Sequence, residues 1–215
     1  MTDMTEFGTP NFRRVGDAAI VLECATLGAA AQRRLWGLGS AARNWPHVRE
    51  AVVGAGNLTL AFERDRVSYE ALRDELARAW KDASDTAARG RTTEIPVHYD
   101  GEDLQTVADA CEMRSDDVIA LHAAGNYIVA FVGFLPGFAY LDGLDTRLHL
   151  PRRTQPRTRV PAGSVAIAGA QSGIYPFDSP GGWHIIGKTA VHMFDPGREP
   201  AALLQPGDAV RFVAV

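Results

Sequence analysis

Residues 182–189 read Gly182-Trp183-His184-Ile185-Ile186-Gly187-Lys188-Thr189, and the fold class turns on how they are read. The spacing satisfies G-x-x-x-x-G-K-[ST], the phosphate-cradling loop of a nucleotide-binding α/β domain. That loop needs a buried strand before it, a helix after it, and flexible residues whose N–H groups curl around phosphate. Here the intervening residues are Trp, His, Ile and Ile, which favour extended backbone. Ser179-Pro180-Gly181 precedes them, and Ala190 to Pro196 carries no helical period. The stretch therefore reads as a strand, and Lys188→Met is expected to leave any nucleotide use largely intact.

The surroundings agree with a β reading. Beyond Gly125, short apolar runs are broken by Gly or Pro every few residues: Tyr127 to Phe134, Val165 to Ala168, Trp183 to Ile186, Ala190 to Phe194 and Ala209 to Val213. This pattern predicts a small barrel or sandwich. Upstream, Ile95 to Tyr99 reads as a strand placed at an edge by Pro96. Two short helices follow, the first capped by Asp103 and the second by Ser115, with Asp116 and Asp117 at the positive end of its dipole.

The first ninety residues alternate differently. Ala18 to Leu22 is a short apolar strand, and Ala31, Leu35, Leu38 and Ala42 recur at helical spacing, with Gly37 and Gly39 weakening that helix. Val48 to Val53 and Leu58 to Phe62 form a hairpin across residues 54–57. Ser68 caps a helix carrying Leu72, Leu76 and Trp80 on one face. The order β-α-β-β-α needs one more strand to complete a split βαβ, ferredoxin-like unit. Residues 81–93 are polar and aperiodic. The expectation is an α+β protein of two domains, 1–91 and 92–215.

Composition narrows the function. A net charge of -4 over 215 residues argues against a nucleic-acid partner. Cys24 and Cys111 belong to no C-x-x-C pair, so neither a disulfide framework nor a zinc site is expected, and no metal is expected from histidine spacing either. Met1 to Asn11 has no apolar leader, and the longest apolar stretch, Tyr127 to Leu141, is too short and too broken to span a bilayer. No membrane partner is expected, and a cytoplasmic location is.

Three features could carry chemistry. His122 shares a helix face with Val118 and Ile119, as a core residue or as a general base at a pocket edge. Arg147, Arg152, Arg153, Arg157 and Arg159 crowd a segment stiffened by Pro151, Pro156 and Pro161. It is either a solvated loop or a clamp for carboxylate or phosphate, which guanidinium grips bidentately. Gly169 to Trp183 interleaves turn formers with aromatics, as a surface turn or as a pocket wall. In the second case Tyr175 and Trp183 would stack on a ligand that Gln171 and Ser179 orient. Gly54-Ala55-Gly56 fails as a dinucleotide fingerprint because position 59 is Thr, and no G-x-S-x-G elbow is present.

Several segments together resemble a known family. They are Val132-Gly133-Phe134-Leu135-Pro136-Gly137-Phe138-Ala139-Tyr140-Leu141, Leu148 to Arg153, Pro156 to Val165, Gln171 to Pro176, Ser179 to Trp183 with Ile186-Gly187, and Leu204 to Phe212. The family is that of the 5-oxoprolinase B subunit, also called allophanate hydrolase subunit 1. Gly56-Asn57 stands where the family has Asn-Asn, and Ala139 where it often has Pro. The resemblance implies a cyclophilin-like β-barrel for the second part. It implies two partners, a homologous C subunit (allophanate hydrolase subunit 2) plus an A subunit, and a chain inactive alone. It also implies ATP as co-substrate in opening 5-oxo-L-proline to glutamate. On that basis Arg152, Arg153 and Arg157 would hold an anion, with Gln171, Tyr175, Ser179 and Trp183 lining the pocket. Two rival readings are an inhibitor of a sensor histidine kinase and a subunit of a urea or allophanate amidohydrolase.

Overall fold

The computed structural model describes residues 8–26, 28–83 and 90–215. The chain divides into two compact units, Met1–Ala88 and Arg89–Val215. Six of the residues expected to link them, 84–89, lie outside the described ones.

In the first unit, β1 (Asn11–Val15), β2 (Ala19–Glu23), β3 (Val48–Gly54) and β4 (Asn57–Phe62) form an antiparallel sheet in the order β1-β2-β4-β3. The expected hairpin is β3–β4. The one further strand that the β-α-β-β-α order needs comes from the N-terminal side, where β1 pairs with β2. Its sequence Asn-Phe-Arg-Arg-Val places one apolar side chain, Phe12, against the core, too little period for a sequence reading to register.

Helices α1 (Ala29–Ala42) and α2 (Tyr69–Asp82) bring Ala31, Leu35, Leu38 and Ala42, and Leu72, Leu76 and Trp80, into one core with Ile20, Leu22, Leu58, Leu60 and Phe62. Gly39, which counts against a helix by propensity, lets α1 settle on the sheet: a Cβ there would come 2.6 Å from a methyl of Val53. Ser68 caps α2 as expected, its hydroxyl accepting from the Ala71 N–H.

The second unit is built on a seven-stranded sheet in the order β12-β9-β10-β7-β6-β13-β5. The strands are β5 (Thr92–Val97), β6 (Tyr127–Val132), β7 (Ala139–Asp142), β9 (Ser164–Ala168), β10 (Gln171–Ile174), β12 (His184–Lys188) and β13 (Ala209–Ala214). Its outer strands meet. His98, just past β5, and Lys188, the last residue of β12, exchange both backbone hydrogen bonds at 2.9 Å, curling the sheet into a nearly closed barrel. Ile95, Tyr127, Val129, Leu141, Ile167, Ile186 and Phe212 fill its interior, joined by Val107, Ala108 and Val118 from α3 (Leu104–Ala110) and α4 (Ser115–Ala124). A short ribbon, β8 (Arg157–Val160) with β11 (Ser179–Gly181), accompanies a second core of Phe138, Val160, Ala166, Tyr175, Trp183 and Ile185.

Residues 182–189 thus lie largely in strand β12, whose pairing with β9 uses the backbone that a phosphate loop would offer. Three local expectations are corrected. Ala190 to Phe194 forms no strand; only Phe194 bridges, to Ala202. Ser115 does not cap α4 but is its first residue, and its hydroxyl donates to Gln105, while Asp117 accepts from the Arg114 N–H. Asp103 precedes α3 but makes no cap; its carboxylate is used elsewhere.

Candidate functional site

Asp103 sits where the chain crosses β12. Gly101 N–H donates to Ile186 O at 3.2 Å and Asp103 N–H to Ile185 O at 2.9 Å. A Cβ at Gly101 would fall 2.3 Å from the Ile186 carbonyl carbon, so only glycine permits the approach. This buries the Asp103 side chain to 4% exposure and fixes its three donors. Arg153 Nη1 donates to Oδ1 at 2.6 Å, Arg157 Nη2 to the same oxygen at 2.8 Å, and Ile185 N–H to Oδ2 at 2.7 Å. Burial alone would raise this carboxyl. The hydrogen bonds from Arg157 and Ile185, with the charges of Arg157 and Arg153, outweigh it and hold the group below its ordinary value. Arg157 also reaches Glu102 through Nε at 2.8 Å. Two of the three expected anion ligands are therefore bound to the protein's own carboxylates.

Arg152 is different. It is exposed, and among the described residues it has no carboxylate partner. It lines a cavity of about 400 Å³ together with Ala110, Leu150, Pro151, Arg153, Thr154, Gln155 and His184. The Arg153 N–H donates to Gly182 O at 2.8 Å and His184 Nε2–H to Pro151 O at 2.9 Å, tying both sides of the rim to β12 and its approach. Burial raises the phenols of Tyr140 and Tyr175, and the Arg152 charge opposes that rise in both. Tyr140, Phe138 and Trp183 meet edge to face at 5.0–5.7 Å.

Tyr175 and Trp183 are buried (1% and 5% exposed). They form the floor beneath the ribbon: a Cβ at Gly181, paired with Arg157, would come 2.3 Å from the Tyr175 hydroxyl. Ser179 is 8% exposed, and its hydroxyl has no hydrogen-bond partner among the described residues. Gln171 is committed to Asp142, donating through Nε2 at 2.8 Å.

His122 lies elsewhere, in the barrel interior, fully buried, with its ring 4.5 Å from Phe212. Desolvation pushes its pKa down to about 3, so the imidazole is neutral and carries one N–H. The Ser172 hydroxyl donates to Ala166 O at 3.2 Å, so it accepts from His122 Nε2–H at 2.9 Å. Nδ1 then accepts from the Tyr99 hydroxyl at 2.8 Å. Every polar atom of the ring is satisfied within the protein.

The structure thus gathers Arg152, Arg153 and His184 on one cavity, with Arg157, Tyr175 and Trp183 adjoining through Asp103 and the ribbon. Sequence reasoning missed Glu102, Asp103, Tyr140 and His184. Asp103 reads locally as a helix cap, and the one available hint was an acidic pair behind a glycine in a chain whose basic residues are nearly all arginine.

Known proteins are similar to this chain over nearly its whole length. The model of the carboxyltransferase domain, subdomains C and D, matches residues 10–204. The 5-oxoprolinase B subunit of Escherichia coli O157:H7 is 42% identical over 204 residues, 93% of each chain. The crystal structure of the protein TTHA0988 superposes with a TM-score of 0.82 at 41% identity, over 92% of this chain. The chain spans 40% of that longer one. The Kluyveromyces lactis urea amidolyase, at 19% identity and a TM-score of 0.76, shares the fold over 96% of this chain and 15% of its own.

Proposed function

The chain belongs to the carboxyltransferase-domain family, subdomains C and D, alongside the 5-oxoprolinase B subunits, and we propose that it is the B subunit of an ATP-dependent 5-oxoprolinase. The observation that carries this reading is the 42% identity to a protein of that name over 93% of both chains. In this reading it acts with a homologous C subunit, together with an A subunit, in the cytoplasm, and is inactive alone. Its two units correspond to a split βαβ, ferredoxin-like arrangement with the outer strand supplied from the N-terminal side, followed by a cyclophilin-like barrel.

The reaction class gives the arginine segment a role. A lactam is a stable amide; transfer of a phosphoryl group from ATP to its oxygen activates the ring carbon, so that one water adds there, the C–N bond breaks to leave an acyl phosphate, and a second water releases the phosphate. 5-Oxo-L-proline, ATP and two waters then give glutamate, ADP and phosphate. The substrate is an anion, and in this reading Arg152 receives it, with Arg153 on the cavity wall, Arg157 held behind it by Asp103, and Tyr175 and Trp183 packed beneath the adjoining ribbon. Gln171, held by Asp142, and His122, satisfied in the barrel interior, take no direct part in this scheme, and Ser179 stays buried in the adjoining ribbon.

The test is reconstitution. ATP hydrolysis dependent on 5-oxo-L-proline, and glutamate release, are measured with the three subunits and again with this chain omitted. Activity lost on omission is expected; activity that persists without this chain would refute the assignment.

A further inference from the structure

The charge count around the cavity selects among the anions of the proposed reaction. Arg152, Arg153 and Arg157 bring three positive charges, and Asp103 and Glu102, paired with Arg153 and Arg157, return two negative ones. One net positive charge remains, at Arg152. The flanking arginines add nothing, since Arg147 pairs with Asp145 at 2.8 Å and Arg159 with Asp178 at 2.6 Å.

A nucleoside triphosphate carries several negative charges and needs several free donors, such as a Gly-rich nest of N–H groups or a cluster of unpaired cations. None of these meets the cavity among the described residues. The segment with the phosphate-loop pattern is the paired strand β12. The start of α3 is flanked by Glu102 and Asp103, whose charges repel phosphate.

A single carboxylate is what one guanidinium matches, through two parallel hydrogen bonds. The other walls suit the remainder of a small cyclic amide: Ala110, Leu150 and Pro151 are apolar, and Thr154 and Gln155 offer donors and acceptors to an amide. A volume of about 400 Å³ lies at the small end of the range for ligand cavities.

We propose that this cavity holds the substrate half of the reaction, a small lactam or amide bearing one carboxylate gripped by Arg152, and that the phosphates of ATP are held outside this chain. The proposal rests on the 5-oxoprolinase reading for the name of the substrate, but it is tested on the chain alone, so the two fail separately.

The purified full-length chain is titrated calorimetrically with three probes: 5-oxo-L-proline, 2-pyrrolidinone (the same ring without the carboxylate) and tripolyphosphate. Saturable binding of 5-oxo-L-proline is expected, with none of the other two. Arg152→Ala is expected to weaken 5-oxo-L-proline about tenfold or more, with unchanged circular dichroism and thermal midpoint, because Arg152 is exposed and has no carboxylate partner among the described residues. Glu102→Gln, at a carboxylate 59% exposed, adds one net positive charge and is expected to make tripolyphosphate binding detectable. The proposal is overturned if tripolyphosphate competes with 5-oxo-L-proline on the native chain, if Arg152→Ala binds as the native chain does, or if no probe binds. The reconstituted assay reads the 5-oxoprolinase assignment independently of all three.

Discussion

The barrel interior and the rim of the cavity each hold a polar network in the second unit, built on opposite plans. Around His122 the network is neutral, runs one way from Tyr99 to the Ala166 carbonyl, and leaves no ring nitrogen unused. Around Asp103 it is charged, leaves the buried Arg153 Nε and Arg157 Nη1 without acceptors, and abuts an open cavity with an arginine free of carboxylates on its wall. The first plan specifies a core. The second holds cations in fixed positions next to an open cavity. Satisfaction of donors and acceptors, more than residue type, separates the two.

The sharpest way to break that contrast is to remove the charge on which the rim depends. Asp103→Asn leaves Arg153 without its carboxylate and Arg157 with the exposed Glu102 alone, and a loss of about 3–5 kcal/mol in urea unfolding is expected. A loss under about 1 kcal/mol would mean that the arginines are held by something else.

Ser172→Ala strands the His122 Nε2–H in the barrel core. A smaller loss of about 1–3 kcal/mol is expected, with the fold retained.

Acid probes the same network by a different route. The folded pKa of His122 is about 3, below the ordinary value near 6.5, so the unfolded chain binds the extra proton between those values. Stability contributed by this group is therefore full at neutral pH. It falls as pH drops below about 6.5, by up to about 1.4 kcal/mol per pH unit. In His122→Gln the unfolding free energy is expected to depend less steeply on pH between about 6 and 4. An unchanged slope would show that His122 is not neutral in the fold.

At the small end, Lys188→Met removes an exposed pair with Asp100 and is expected to change stability by less than about 1 kcal/mol. The same variant is expected to leave ATP turnover by the reconstituted complex intact. Loss of turnover in the folded variant would revive the phosphate-loop reading of residues 182–189.

The contrast also marks how far the sequence is legible. Period and punctuation locate β3, β4, α1, α2 and most barrel strands, because each is a local pattern of burial. They miss β1, which buries a single apolar side chain, and they turn residues 190–194 into a strand because an apolar run buried without a sheet partner looks the same in sequence. For the site, the arginine segment is legible as a cluster of charge on a stiff backbone. The division of labour within it is not. Which arginines are spent depends on Asp103, fifty residues away, brought into range by backbone pairing of Gly101 and Asp103 with β12. Tyr175 and Trp183 read equally as aromatics packed under a surface turn or as ligand-stacking platforms, because their neighbours are turn formers; the ribbon closes over them.

The central claim is that Arg152 is the contact for the substrate's carboxylate. It is tested most directly by steady-state kinetics of the reconstituted complex carrying Arg152→Ala. The account predicts a KM for 5-oxo-L-proline raised about tenfold or more and a KM for ATP unchanged. A raised KM for ATP with that for 5-oxo-L-proline unchanged, or no change in either, would contradict it.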